Sequence, residues 1–119
     1  MAMTVIYKIC DSQSWSDAEH AGIFAGADID LADGYIHFST RDQVAETAAK
    51  HFVGRPNLVL IAVAADALGP ALKWEPSRGG ALFPHLYGPL PLTAVRFVKP
   101  LSLGPDRIPM LPDLSECDR

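Results

Sequence analysis

Hydrophobic residues along the chain fall into short runs, separated by polar segments that are rich in glycine and proline. Three of these runs are rich in β-branched and aromatic residues and predict strands. They lie at 5–9, 35–38 and 94–98. The run at 57–64 is almost continuously apolar, which is typical of a strand that is buried on both faces. A shorter strand is expected at 72–75, with Trp74 directed toward the core.

Two helices are predicted from their start signals. Ser16 and Thr40 are each followed three residues later by Glu or Gln, which is the capping-box pattern. Beyond Thr40 an apolar residue recurs at every fourth position and forms one stripe. The stripe consists of Val44, Ala48 and Phe52. Gly54 and Pro56 then predict the end of this second helix.

The alternation of strands with two or three helices predicts an α+β fold, a single domain with a mixed, split β-sheet. With 119 residues the chain is long enough for one core. We expect the domain to span 1–101, and the proline-rich segment 102–119 to form a tail that lies on the surface or is partly disordered. Residues 22–34 are expected to form a loop or a short irregular element.

Composition limits the possible partners. The formal net charge of −4 argues against a broad nucleic-acid surface, because phosphate binding requires clustered Lys and Arg. No segment approaches the roughly 20 apolar residues of a membrane span. Residues 1–8 lack the pattern of a secretory signal, and Cys10 and Cys117 suggest neither a disulfide framework nor a zinc site. The cytoplasm is the expected compartment.

The segment 34–40, "GYIHFST", is the first candidate site. Alternation along a strand places His37 and Ser39 on one face, away from the core residues between them. The backbone then enters the helix at Thr40, whose free N–H groups can favour an anion. The alternative is that His37 is a core histidine bonded to a backbone carbonyl and that Thr40 only caps the helix.

The segment 75–88, "EPSRGGALFPHLYG", is the second candidate site. Its glycines and prolines argue against one helix or one central strand. Arg78 with Gly79 and Gly80 can bring a guanidinium and bare backbone N–H groups against a phosphate or carboxylate. The alternative is an exposed loop carrying an Arg–Glu pair that contributes little energy.

Three further residues of the same segment have side chains suited to chemistry. Glu75 can act as an acid or base, or hold Arg78 in place. His85 and Tyr87 are two residues apart, so they share a face wherever the backbone is extended. Tyr87 can stack on a flat ring or donate a hydrogen bond. Together the two segments predict the two walls of one pocket.

The chain resembles a bacterial family of small proteins known as domain of unknown function 952. The resemblance is carried by "GYIHFSTRDQVAETAAKHF" and "LKWEPSRGGALFPHLYGPLPL", and it extends to about Leu101. The family is distantly similar to the ADP-ribosyltransferase superfamily, which has a split mixed sheet and binds NAD or an ADP-ribosylated group. This similarity implies that His37 bonds a ribose hydroxyl, that Ser39 shapes the same pocket, and that Tyr87 stacks on nicotinamide.

The leading hypothesis is a pocket for a small anionic or nucleotide ligand, with NAD as the candidate cofactor and no metal expected. In an ADP-ribosyl or phosphoryl transferase-like enzyme, His37 and Arg78 would be catalytic. The substrate-binding residues would be Ser39, Thr40, Glu75, Gly79, Gly80, His85 and Tyr87. A non-catalytic binding module with the same pocket is the alternative. A metal-dependent hydrolase built from His37, His85 and Glu75 is a third hypothesis.

Overall fold

The computed structural model describes residues 4–114, with the side chains of all of them except Asp28 and Arg78. Over this range the helices are α1 (Ser12–Ala21), α2 (Asp28–Asp33) and α3 (Arg41–His51). The strands are β1 (Val5–Asp11), β2 (Ile23–Phe24), β3 (Ile36–His37), β4 (Leu58–Ala64), β5 (Leu72–Pro76), β6 (Leu82–Leu86), β7 (Leu90–Pro91) and β8 (Val95–Leu101). The predicted α+β class is confirmed.

The strands form a large sheet in the order β1-β4-β8, a small sheet in the order β3-β6-β5, and a two-stranded ribbon of β2 with β7. Every strand pair in the described residues is antiparallel, so the predicted mixed sheet is wrong. The alternation of strands and helices suggested crossovers between parallel neighbours. Instead, the strands that follow α1 and α2 leave the large sheet and pair elsewhere, and the chain returns to it only at β4.

The large sheet has a hydrophobic core on each face. One core contains Ile6 and Ile61 with Trp15 of α1, and the other contains Tyr7 and Leu60 together with apolar residues of α3. Strand β4, in the centre, is therefore buried on both faces, as its continuous apolar run predicted. The predicted stripe on α3 is also confirmed, because it packs into the second core.

Three local predictions were wrong. Helix α1 begins at Ser12 rather than after Ser16, because the carboxylate of Asp11 accepts a 2.9 Å hydrogen bond from the backbone N–H of Ser14 and caps it. Residues 22–34 contain β2 and α2 rather than a loop. Trp74 is 42% exposed, because β5 is an edge strand whose side chains are mostly accessible.

The segment 75–88 was expected to be too irregular for a central strand, yet β6 occupies the centre of the small sheet with Pro84 inside it. The backbone N–H of Phe38 donates to the carbonyl of Pro84 at 3.0 Å. Because proline has no backbone N–H, Pro84 cannot donate a second hydrogen bond back to Phe38. The pairing of β6 with β3 ends there. Ser39 then exchanges two 2.8 Å backbone bonds with Tyr7 of β1, which joins the two sheets.

Part of the segment predicted as a tail packs on the domain. Leu103 pairs with Pro109 in an isolated antiparallel bridge. Leu111 and Leu114 contact the core beside α3, and Leu114 is 8% exposed. The prediction for residues 115–119 lies outside the described residues.

Candidate functional site

A cleft of about 410 Å³ opens where the two sheets meet. Its walls come from β1, from α2 and β3, from α3, and from β6. Apolar side chains supply one part of the lining, including Phe38, Val44, Phe52 and Phe83. Polar and titratable side chains supply the other, including Lys8, Asp33, Tyr35, His37, His85 and Arg55. The cleft therefore suits a ligand with both apolar and charged parts.

Asp30 of α2, a residue not predicted from the sequence, organises one wall. The Lys8 ammonium lies 2.9 Å from Asp30 Oδ2, and both side chains are almost completely buried. Burial raises the pKa of Asp30, but hydrogen bonds from His37 and Ala27 and the charge of Lys8 outweigh it and lower the pKa to about 2. The carboxylate is thus ionised at neutral pH.

Gly26 permits the close approach of the chain to Asp30. Its φ of 121° lies in a region that favours glycine, and a Cβ at this position would lie 2.8 Å from the Cβ of Asp30. The next residue, Ala27, donates its backbone N–H to Asp30 Oδ2 at 2.8 Å. The turn before α2 is therefore fitted around this carboxylate.

His37 lies between two carboxylates. Its Nδ1 is 2.6 Å from Asp30 Oδ1, and its Nε2 is 2.9 Å from Asp33 Oδ2. Its backbone also participates, because the N–H donates to Asp30 and the carbonyl accepts from Lys8. The alternative prediction of a core histidine bonded only to a carbonyl does not describe this ring, whose side chain is 29% exposed.

His85 is held by a third carboxylate, that of Glu75 on the neighbouring strand β5. Its Nδ1 lies 2.8 Å from Glu75 Oε1, and the Tyr87 hydroxyl donates to the same oxygen at 2.7 Å. These hydrogen bonds lower the pKa of Glu75, and the bond to Glu75 raises the pKa of Tyr87 to about 12. Glu75 was expected to act as an acid or base or to hold Arg78. Its partners among the described side chains are His85 and Tyr87, and a contact with the Arg78 side chain lies outside what the structure describes.

Tyr35 joins the two histidines into one aromatic cluster. His37 and His85 are directly paired across β3 and β6, and their ring centroids are 5.6 Å apart. The Tyr35 ring packs 4.6 Å from the first and 4.2 Å from the second, between centroids. Tyr87 lies 5.1 Å from Tyr35 at the exposed edge. Antiparallel pairing thus brings the two predicted segments together.

Ser39 lines the cleft and is held by α3. Its Oγ lies 2.9 Å from Oγ1 of Thr47, and Thr47 in turn donates to the carbonyl of Gln43. Either hydroxyl of the pair can be the donor, and in both cases Ser39 keeps acceptor capacity for a ligand. Thr40 caps α3, with its backbone N–H bonded to Gln43 Oε1 at 3.0 Å, and does not line the cleft.

The remaining predicted residues form the turn before β6. Gly79 and Gly80 have φ angles of 66° and 83°, are exposed, and do not line the cleft. Their backbone makes the turn between β5 and β6, so their glycine character is explained by conformation. The side chain of Arg78 lies outside what the structure describes. Among the described side chains, Arg55, which follows α3, brings a guanidinium to the cleft.

Sequence reasoning missed Lys8, Asp30, Asp33, Tyr35 and Arg55. One signal was available, because a lysine inside the apolar strand β1 requires a buried anion. No local pattern distinguishes the acidic residue of α2 that would supply it. Among the side chains that the structure describes, no group of His, Cys, Asp or Glu is arranged to hold a metal. No helix in the described part of the chain is long and apolar enough to span a membrane.

Comparisons with known proteins agree with one another. The family model described as "Protein of unknown function (DUF952)" matches residues 9–98. The crystal structure of protein CC0527 from Caulobacter crescentus is 50% identical, with a TM-score of 0.88 over 96% of this chain and 97% of that one. Its solution NMR structure gives a TM-score of 0.80 at 50% identity, with 97% of each chain covered. A search of curated proteins found no match.

Proposed function

The chain belongs to the DUF952 family, and we propose that its cleft binds a phosphorylated nucleotide such as NAD or ADP-ribose. The observation that carries this proposal is the pair of carboxylate-held histidines, His37 and His85, side by side in a cleft that also has an apolar wall. A nucleotide combines the two features that such a lining accommodates, a flat apolar base and a charged phosphate.

The polar lining suits the phosphate and the ribose. Arg55 is a guanidinium at the cleft, and guanidinium groups bind phosphate oxygens in a bidentate manner. Lys8 adds a second cation, although Asp30 already neutralises it. Ser39 keeps acceptor capacity for a ribose hydroxyl, and Asp33, whose side chain is 44% exposed, can release Nε2 of His37 to the ligand.

The volume and charge favour a small ligand. About 410 Å³ lies within the range of ordinary small-molecule sites and accommodates a ligand of nucleotide size. A chain with a net charge of −4 repels a long polyanion more strongly than a single nucleotide. The proposal is thus a free nucleotide rather than a nucleic acid.

The resemblance of the family to ADP-ribosyltransferases supports the proposed ligand more than it supports a transferase reaction. That superfamily uses a late glutamate to orient the ribose. After Tyr87 the acidic residues are confined to the C-terminal segment, as Asp106, Asp113, Glu116 and Asp118. A non-catalytic binding module with the same pocket is therefore the alternative to a transferase. Incubation with NAD followed by chromatography for released nicotinamide separates the two.

Calorimetric titration of the full chain with NAD, ADP-ribose and inorganic phosphate tests the proposal. We expect dissociation constants for the nucleotides between about 1 μM and 1 mM. His37→Ala should weaken binding roughly 10- to 100-fold, because a hydrogen bond to a charged group contributes about 1.5–3 kcal/mol. His20→Ala is the matched control, since that ring is exposed on α1 and bonds its own helix.

Absence of heat and of thermal stabilisation with all three ligands refutes the proposal. Equal affinity for phosphate and the nucleotides would instead indicate a simple anion site, because the apolar wall of the cleft would then contribute nothing to binding.

A further inference from the structure

The two histidines differ in how many of their ring nitrogens are engaged. Both nitrogens of His37 face carboxylate oxygens, at 2.6 Å from Asp30 and 2.9 Å from Asp33. An ionised carboxylate only accepts hydrogen bonds, and a neutral imidazole has a single N–H. Both contacts are therefore hydrogen bonds only when His37 is an imidazolium. In this arrangement His37 is a cation with a proton to donate.

His85 presents the complementary form. Its Nδ1 donates to Glu75 Oε1, which also accepts the Tyr87 hydroxyl and so cannot supply a proton. With Nδ1 protonated, the neutral ring carries its lone pair on Nε2. Nε2 makes no hydrogen bond to the residues that the structure describes, and His85, whose side chain is 6% exposed, is one of the residues that line the cleft. His85 is therefore arranged as a base.

The acid and the base are fixed at one place. The strand pairing sets their backbones opposite each other, and the ring centroids are 5.6 Å apart. Tyr35 packs on both rings and limits their rotation. One tetrahedral group bound over the ring edges can hydrogen-bond with both histidines at once. A reaction that takes a proton at one oxygen and returns a proton at another suits this arrangement.

We propose that His85 and His37 act as general base and general acid in the hydrolysis of a nucleoside 2′,3′-cyclic phosphate bound in the cleft. This inference rests on the proposed nucleotide site and names its substrate class. Nε2 of His85 removes a proton from water, and the water oxygen forms a bond to phosphorus. The bond from phosphorus to one ribose oxygen breaks, and His37 protonates that oxygen.

The step balances with water as the only co-reactant. The product is a nucleoside monophosphate with one free ribose hydroxyl, and exchange with solvent returns each histidine to its starting form. Before the step, a phosphate oxygen replaces the exposed Asp33 carboxylate at Nε2 of His37. Negative charge grows on the non-bridging oxygens in the transition state, and Arg55 at the cleft can stabilise it.

A cyclic phosphate fits these features better than a larger ester. It contains a single nucleotide and carries one negative charge, which suits a cleft of about 410 Å³ on a chain of net charge −4. Strain in the five-membered ring makes the phosphorus reactive toward water, so correctly placed acid and base groups are the main requirement. General acid–base catalysis of this kind contributes about 10²–10⁴-fold for each group.

The test is incubation of the purified full chain with cytidine 2′,3′-cyclic monophosphate, followed by phosphorus NMR. We expect the cyclic signal to be replaced by that of a phosphomonoester. His37→Asn and His85→Asn should each slow this turnover at least about 100-fold. His20→Asn, on the exposed face of α1, should leave it unchanged and controls for contaminating nucleases. Circular dichroism of each variant verifies the fold.

The outcomes separate this inference from the proposed function. NAD or ADP-ribose binding without cyclic-phosphate turnover by the unmodified chain overturns the acid–base assignment and leaves the nucleotide site standing. Turnover that persists in both His37→Asn and His85→Asn overturns the acid–base assignment as well. Turnover that depends on both histidines, with no binding of NAD or ADP-ribose, supports the assignment and overturns the ADP-ribose-like ligand. If the chain shows neither nucleotide binding nor cyclic-phosphate turnover, both the proposed function and the acid–base assignment are overturned.

Discussion

Replacement of Asp30 by asparagine tests the central role of this buried carboxylate. The substitution preserves the shape but removes the charge that pairs with Lys8, whose side chain is 5% exposed. It also replaces one carboxylate oxygen with an amide N–H₂ group. This group cannot accept the hydrogen bonds that Lys8 and the Ala27 backbone donate to Oδ2. Removing one partner of a buried ion pair costs about 3–5 kcal/mol. We expect Asp30→Asn to lower the free energy of unfolding by this amount.

A second estimate comes from the titration of the same group. Lowering the pKa of Asp30 from 3.8 to about 2 corresponds to about 2.5 kcal/mol, at about 1.4 kcal/mol for each pKa unit. Because the folded pKa is depressed, this stability is fully present above about pH 4 and is lost as the pH falls toward 2.

Urea unfolding at neutral pH is the assay, with the slope compared between variants to verify two-state behaviour. Asp33→Asn is a matched control, because this residue also lies on α2 and contacts His37 but is 44% exposed. It should cost no more than about 1 kcal/mol. Adding Lys8→Met to Asp30→Asn should recover part of the loss, since no unpaired ammonium then remains buried. Equal effects of the two asparagine substitutions would refute the reasoning.

Three further predictions concern other contacts. Glu75→Gln should bring the pKa of Tyr87 down from about 12 toward 10, because the raised value depends on the Glu75 carboxylate. Spectrophotometric titration of the Tyr87 phenolate measures this pKa, and an unchanged value contradicts the contact. Burial raises the pKa of the Cys10 thiol to about 12, so its alkylation at pH 8 should require unfolding, which peptide mass spectrometry measures. Gln43→Ala should destabilise the chain by about 1 kcal/mol in urea unfolding, because Thr40 loses its hydrogen-bond acceptor; no change argues against the capping box.

Patterns between near neighbours were reliable predictors of the elements. The box at Thr40 and Gln43 forms as a 3.0 Å hydrogen bond, and the stripe that follows it packs into the core. Strand β4 was predicted from its apolar run alone. Each of these features depends on residues a few positions apart, whose geometry follows from helix or strand periodicity.

Local signals failed where a distant partner decided the outcome. Pro84 argued against a central strand, but β5 and β3 pair on its two sides and tolerate one missing N–H. The box at Ser16 failed for a local reason instead, because Asp11, five positions earlier, caps α1. The mixed sheet was wrong because the order of elements along the chain does not fix which strands become neighbours.

By itself, the sequence predicted that two segments form one candidate site, since His37, Ser39, Glu75, His85 and Tyr87 were selected from their types and spacing. Only the tertiary structure decided what these side chains do. The pairing of β3 with β6 sets the two histidines next to each other, with their rings edge to face, and Asp30 reaches Lys8 across 22 positions of sequence. The docking of α2 selects the carboxylates that hold His37, and the pairing of β5 with β6 brings Glu75 to His85. Neither event leaves a local trace in the sequence.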